Sequence, residues 1–340
     1  MASTYPATGA IASALDTVTS MVAAGKRRRL AATLSTLPWV AWAVLRCTGS
    51  ERGFPLVPAM SFTPYAAATA VLPLTAAVRA RSRPALLLAA ASGAALAGTV
   101  LGRRGTPTPV PDGPRLRIAT VSLRRGLVPP APVLDLVRRF DVDVLSVQEL
   151  TPRAEQELRA AGIGKLLPWA HVLPARPGSV PAASGAVWTR LPAVAAGAVP
   201  GAFEQPTARI QVPGALPVEL TAVHTWPPAT SPRSVRTWES DLAALPAPDP
   251  EVLRVLAGDF NATPDHAALR AALRRGWADA AQRAGRALSW TWRPLRLPWP
   301  RLALDHVLVD PRISVAGVLL VHVAGSDHRA LVVDLVLPRS

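Results

Sequence analysis

The stretch Leu256-Ala257-Gly258-Asp259-Phe260-Asn261-Ala262-Thr263-Pro264 sets a carboxylate and a carboxamide two residues apart at the end of an apolar run. Val252 to Ala257 reads as a buried strand, and Gly258 lets the backbone turn sharply. Thr263 suits a helix N-cap and Pro264 the first helical position. In extended backbone Asp259 and Asn261 project to one face, a pairing that suits a phosphate or a hydrated metal ion. Polar residues recur at the ends of other apolar runs. Asp143-Val-Leu-Ser-Val-Gln148-Glu149 ends in an amide and a carboxylate, and Leu220-Thr-Ala-Val-His224 ends in an imidazole. Leu304-Asp305-His306 opens a strand, and Gly325-Ser326-Asp327-His328 fills a turn. Singly, each has an ordinary structural reading: a solvated terminal Glu, a hydrogen-bonded His, a common Ser-Asp turn. Together they place carboxylates, an amide and imidazoles at strand ends of one domain, where α/β sheets build their sites.

The elements that must position these side chains begin at Arg115. Strands are predicted at 116–121, 142–147, 185–189, 218–224, 253–257, 303–309, 314–323 and 330–335, with helices at 131–140, 152–161 and 231–245. The chain before them is of another kind. Hydrophobic residues make up 50% of the 340 and mean hydropathy is +0.25, high for a soluble enzyme. Apolar runs at 30–45, 56–78 and 85–101 compare with the roughly 20 residues of a membrane-spanning helix. The second meets that length easily, the third is borderline and the first is short. The first also resembles the apolar region of a signal peptide behind Lys26-Arg27-Arg28-Arg29, but no small-x-small cleavage site precedes the second run. Three transmembrane helices are therefore expected.

Charge supports that reading. The first 105 residues hold 11 basic and 2 acidic residues, so most of the net +15 lies beside apolar segments, where it sets topology rather than nucleic-acid affinity. Lys26 to Arg29 before the first span and Arg79, Arg81 and Arg83 after the second place those segments in the cytoplasm, which puts everything after the third span outside. The expected divisions are a cytoplasmic tail at 1–29, a membrane region at 30–104, a Pro-rich linker at 105–114 and a catalytic domain at 115–340. Cys47 is the only cysteine, which excludes an intrachain disulfide and a cysteine-based zinc site.

Gln148-Glu149, His224, Gly258-Asp259-Phe260-Asn261, Asp305-His306 and Ser326-Asp327-His328, in this order, resemble the endonuclease/exonuclease/phosphatase (deoxyribonuclease-I-like) superfamily over residues 115–340. The resemblance implies a four-layer α/β sandwich, two mixed β-sheets packed face to face and flanked by helices, and metal-assisted hydrolysis of a phosphate ester. By the same resemblance Glu149 is the main metal-ligand carboxylate and Asp327 a second one. His328 is the general base that takes a proton from water, and Asp305 orients it. Asn261 bonds the scissile phosphate, Asp259 aligns the water or protonates the leaving oxygen, and His224 donates to a phosphate oxygen or acts as general acid. His306 is structural, and Gln148 supports its neighbours. Mg²⁺ suits such an oxygen-rich site, with Mn²⁺ or Ca²⁺ as alternatives. Where the family's first strand ends in an Asn, this chain has Ser122, shorter but able to donate and accept. That departure keeps open a catalytically weak or inactive scaffold on the same fold. Arg190 and Arg293 are further candidates for phosphate contact, and Trp226, Trp290, Trp292 and Trp299 for the rim of the site. The expected substrate is a nucleic acid or a lipid headgroup, the expected location the cell membrane, and no obligate protein partner is evident.

Overall fold

The computed structural model describes residues 7–105 and 110–339, so the first six residues of the expected tail, positions 106–109 of the linker and Ser340 lie outside the described residues. Two compact units emerge. One comprises Met1–Ser50 and Phe62–Val100, the other Glu51–Ser61 and Leu101–Ser340.

The N-terminal helices are α1 (Ala7–Thr48), α2 (Leu56–Ala59), α3 (Thr63–Thr69), α4 (Val71–Arg79) and α5 (Arg83–Leu101). Thr19–Thr48 and Arg83–Leu101 are long and apolar enough to cross a membrane, with mean hydropathies of 1.3 and 1.8. The run at 56–78, the most secure span by composition, is instead broken. Leu56–Thr69 and Val71–Arg79 meet at a 42° bend, so among the described residues two helices, or three if the bent pair counts as one, are long and apolar enough to cross a membrane. Proline explains the break: the Pro73 ring collides with a continuing helix at the carbonyl four residues back, Thr69, where α3 ends. Within the first unit the buried contacts are small, Ala32, Ala77 and Ala85, which lets helices approach closely. Trp39 Nε1 donates to the Ala66 carbonyl and Trp42 Nε1 to Thr63 Oγ1, each at 3.0 Å.

The second unit is built on twelve strands. β1 (Arg115–Ser122), β2 (Val144–Leu150), β3 (Trp169–Leu173) and β4 (Ser184–Thr189) belong to one sheet. β5 (Ala193–Val199), β6 (Gln205–Ile210), β7 (Val218–His224), β8 (Leu253–Asp259), β9 (Ala278–Asp279) and β10 (Asp305–Val309) form another, and β11 (Ser314–His322) and β12 (Arg329–Val336) return to the first. Their orders are β11-β12-β1-β2-β4-β3 and β5-β6-β7-β8-β10-β9. The β1/β2 and β7/β8 pairs are parallel and the rest antiparallel, so both sheets are mixed. Helices α6 (Pro130–Arg139), α7 (Pro152–Ala160) and α8 (Ile163–Leu166) pack on the outside of the first sheet through residues such as Val133, Val137 and Leu158. Helices α9 (Pro232–Ala244) and α10 (Ala267–Arg274) cover the second through Trp238, Leu242 and Leu269, and a short α11 (Ala280–Arg283) follows β9. This is the four-layer sandwich expected from the resemblance.

The twofold period of the strands carries the architecture to the site. Leu220 and Ala222 of β7, Val255 and Ala257 of β8, and Val307 and Val309 of β10 all enter the core between the sheets. Alternate residues such as Val223, Leu256 and Leu308 face the helices instead. Two residues beyond Ala222 and Ala257 on the same face come His224 and Asp259, and two before Val307 comes Asp305. On the opposing sheet Leu116 and Ile118 lead to Ser122, and Val144 leads to Gln148 by the same parity. One end of the inter-sheet core thus changes from aliphatic to polar.

Candidate active site

Strand register brings three predicted residues side by side. Asp259 pairs with His224 across the parallel β7/β8 ladder and with Asp305 across the antiparallel β8/β10 ladder. His328, from the turn before β12 on the opposite sheet, reaches across: its Nδ1 lies 2.8 Å from Asp305 Oδ2, and its Nε2 faces Asp259 Oδ2 at 3.8 Å. All four are buried. Ser326 fixes the turn, its hydroxyl donating to the Ser122 carbonyl at 2.8 Å and accepting from the His328 N–H at 3.0 Å.

Asp259 and Asn261 do meet, though not by extended backbone. The strand ends at Asp259, and Asn261 takes a left-handed conformation with φ of 44°, which Asn tolerates. Its backbone N–H donates to Asp259 Oδ1 at 2.8 Å, and its Nδ2 donates to the Thr225 carbonyl at 2.9 Å. Glu149 is also left-handed, φ 54°, at an irregularity in the β2/β4 ladder. For Glu such a conformation is strained, and strain of this kind collects where function requires it. The Arg125 N–H donates to its Oε2.

The helix expected from Thr263-Pro264 starts later. α10 begins at Ala267 with His266 in the N-cap position. Thr263 is drawn into a turn, where its N–H donates to His266 Nδ1 at 2.9 Å and its carbonyl accepts from the His266 N–H at 3.0 Å. Glu51, far away in sequence, accepts from the Ala267 N–H and caps the helix in place of Thr263. Val57 packs in the same cluster as Phe260 and Ala262, the neighbours of Asn261. Arg103 pairs with the buried Asp265. Segments 51–61 and 101–105 therefore buttress the loop that carries Asp259 and Asn261.

The electrostatics show what shares the cavity. Burial pushes Asp259 up to about 8; His328 opposes the rise and Asp305 and Glu149 add to it. Burial also raises Glu149, with His328 and Arg125 opposing and Asp327 adding. Burial disfavours charge on His328, but Asp305, Asp259 and Asp327 outweigh it and bring it up to about 10. His224 is lowered to about 3 by burial and by His328, which keeps it neutral at physiological pH, and its buried Nδ1 has no hydrogen-bond partner. Four carboxylates thus act on one imidazole within a shared site.

A divalent cation fits this donor set. Asp259, Asp305 and His328 each offer one atom within 4.8 Å of the others. The His328–Asp305 hydrogen bond already engages two of those groups, and Glu149 and Asp327 add their charge to the same site. There Asp327 Oδ1 and Ser122 Oγ are buried without a hydrogen-bond partner. Unpartnered oxygens beside excess negative charge suit a hard cation.

Of the other predicted residues, Arg190 falls away from this end, while the rest flank or brace it. Arg190 follows β4 where Thr189 pairs with Val144, the opposite end of β2 from Glu149, and its guanidinium bonds Asp141 and the Val142 carbonyl. Arg190 is not brought to the site. Arg293 lies at the rim, its N–H donating to the Asp327 carbonyl at 3.2 Å. His306 lies between Asp279, 2.7 Å from Nδ1, and the Ala262 carbonyl, 2.9 Å from Nε2. Gln148 points between the sheets, accepting from Thr120 and donating to Ser146. Of the supporting residues that follow, the sequence marked Trp292 alone, as a candidate for the rim. Thr291 Oγ1 accepts from the Asp305 N–H at 3.0 Å, and Trp292 Nε1 donates to Asp327 Oδ2 at 3.1 Å. Phe203 stacks on His224 with centroids 4.2 Å apart, and Gln205 accepts from the His224 N–H at 3.2 Å. They lie in loops or strands that no motif marks.

Residues 119–328 match the profile of the Endonuclease/Exonuclease/phosphatase family. Among solved structures, TDP2 of D. rerio humanized by 14 mutations is 15% identical, covering 65% of this chain and 98% of its own, with a TM-score of 0.51. A functionally unknown conserved protein from Enterococcus faecalis V583 is 15% identical, with 66% and 100% covered and a TM-score of 0.51. D. rerio TDP2 complexed with a single-strand DNA product, also 15% identical, covers 65% of this chain and 98% of its own at a TM-score of 0.50. At such identity the likeness shows the fold. A search of curated proteins found no significant match.

Proposed function

Because the chain belongs to the endonuclease/exonuclease/phosphatase family, we propose that it is a membrane-anchored, divalent-metal-dependent phosphoesterase that hydrolyses a phosphodiester by in-line attack of water. The observation that carries this reading is the buried His328–Asp305 pair, whose free Nε2 faces Asp259 at the polar end of the inter-sheet core. Asp305 holds the proton on Nδ1, which leaves Nε2 to take one from water. Neutral His224, whose buried Nδ1 has no hydrogen-bond partner, offers an N–H donor to a phosphoryl oxygen, whereas the Asn261 N–H and amide are already given to Asp259 and the Thr225 carbonyl and hold the loop in place. Asp259, raised by burial, is suited to pass a proton to the leaving oxygen. Glu149 and Asp327, with Ser122 directly or through water, would hold an ion of the Mg²⁺ type. When bound, such an ion polarises the phosphoryl oxygens and offsets the carboxylates that keep His328 protonated.

The two long apolar helices support membrane association; with the bent pair counted as a third span, the positive-inside pattern favours the outer face for the catalytic unit. The phosphodiester belongs to a nucleic acid or a lipid headgroup; that D. rerio TDP2, of similar fold, is complexed with a single-strand DNA product supports the former. Ser122 favours one second reading, a weakly active or inactive scaffold, since its buried Oγ lacks the reach of an amide. The test is turnover of bis-p-nitrophenyl phosphate by the purified full chain with Mg²⁺ or Mn²⁺, beside His328→Ala. Turnover in the wild type alone is expected; equal rates in both proteins would refute a hydrolase.

A further inference from the structure

The loop between α11 and β10 has a feature that hydrolysis does not use. Its stem is tied to the site: Trp292 bridges to His328 and to Leu302, and the Arg293 N–H reaches the Asp327 carbonyl. Beyond the stem, Pro294-Leu295-Arg296-Leu297-Pro298-Trp299-Pro300 turns outward. Leu295 is 39% exposed, Leu297 56% and Trp299 65%. Large apolar side chains left in water together at one loop tip mark an interaction surface. The three prolines stiffen the tip, so presenting these side chains costs little ordering on docking.

Charge selects the partner. From Ala280 to Leu304 the chain contains no Asp or Glu, while Arg293, Arg296 and Arg301 flank the exposed apolar residues. Arg on the rim with Leu and Trp at the tip is the composition of a segment that enters the headgroup region of an anionic membrane. A nucleic acid fits less well. Leucines neither stack on bases nor bond them, and Trp290, the aromatic deeper in the loop, already has the Arg329 guanidinium over its ring at 3.4 Å. The chain itself provides the surface, since it passes from α5, a helix apolar enough to span a bilayer, into the catalytic unit at Leu101.

We propose that the 293–301 loop is a docking element for an anionic lipid surface, inserting Leu295, Leu297 and Trp299 among headgroups and acyl chains and turning the mouth of the site toward the bilayer. The docking stands on the loop alone; only its consequence, presentation of a lipid phosphodiester to His328, rests on the hydrolase reading.

The test uses the full chain in lipid nanodiscs. With Cys47→Ser removing the single native thiol, Leu297→Cys carries an environment-sensitive NBD label; Trp299→Cys is the second position should the first fail to fold. In nanodiscs containing phosphatidylserine the label should emit at shorter wavelength and be quenched by doxyl-labelled lipid. Raising the salt, or Arg296→Glu with Arg301→Glu, should reverse both, since each basic residue near an anionic surface contributes about fivefold in affinity. Water-like emission without quenching in anionic discs overturns the proposal. So does a blue shift produced only by added single-stranded DNA, or one that follows protein concentration in detergent as a second copy would. Turnover of bis-p-nitrophenyl phosphate in the same sample reports the hydrolase reading separately.

Discussion

Asp305→Asn isolates the proposed dyad. The two side chains have the same shape, and the Asp305 N–H keeps its bond to Thr291 Oγ1, so the strand has no reason to move. What changes is the partner of His328 Nδ1, a buried carboxylate at 2.8 Å. Replacing a charge-assisted bond by a neutral one removes roughly 1.5–3 kcal/mol of stabilisation for an imidazolium, about a tenfold to hundredfold loss in rate. If the new amide donates, the imidazole must accept at Nδ1 and carry its proton on Nε2, the nitrogen facing Asp259 and the proposed water. The same tautomer reversal in the serine-protease triad costs about 10⁴ in kcat. The expected loss is therefore between about tenfold and 10⁴ in kcat for a small diester, with Tm little changed. A kcat within twofold of wild type in a folded protein would refute the role given to this pair.

Burial lowers His266 to about 4, and the Thr263 N–H aimed at its Nδ1 leaves no room for a second proton. Its folded pKa lies below the unfolded 6.5, so the unfolded state binds more protons between them; stability is full above about pH 6.5 and falls by up to ~3 kcal/mol toward pH 4. His224 acts in the same direction, so His266→Gln should flatten part of the fall in Tm between pH 7.5 and 5, and an unchanged slope would contradict this. At Gly258 an added Cβ would lie 1.9 Å from the Val223 carbonyl oxygen and 2.8 Å from its carbon. Gly258→Ala should therefore force β7 from β8 and cost about 3 kcal/mol or more; a denaturant midpoint near wild type would show that the ladder yields freely. Arg103→Met leaves the Asp265 carboxylate buried without that partner and should cost about 3–5 kcal/mol, with Asp265→Leu added to it recovering much of the loss. Thermal melts of the single and double variants decide it, and no recovery would mean the pair is not coupled.

The sequence made most of the proposed site legible because each residue ends or begins an apolar strand, and the period of two then fixes the shared face. The residues that brace it were not legible. Glu51 caps α10 from more than 200 positions away, and Thr291 and Phe203 act through contacts that only the folded chain creates. Arg190 failed for a related reason: sequence placed it at the end of a strand but could not say which end of the sheet that strand would present. Strands β3, β5, β6 and β9 went unforeseen. β5, Ala193-Val-Ala-Ala-Gly-Ala-Val199, is an exposed edge of poor β-formers, and β6 holds Pro206; ladder pairing, not propensity, makes them strands. Hydropathy likewise registers apolar length but not the helix break before Pro73, which is why the longest run proved to be the bent one.

Metal dependence tests the central claim most directly. The full chain, stripped with a chelator and titrated with Mg²⁺, is assayed for hydrolysis of bis-p-nitrophenyl phosphate beside Glu149→Gln. The account predicts no turnover in chelator, saturable recovery in the wild type, and a half-saturating Mg²⁺ concentration raised at least about tenfold in the variant. Turnover that persists in chelator, or a variant curve that superposes on the wild type, would contradict it.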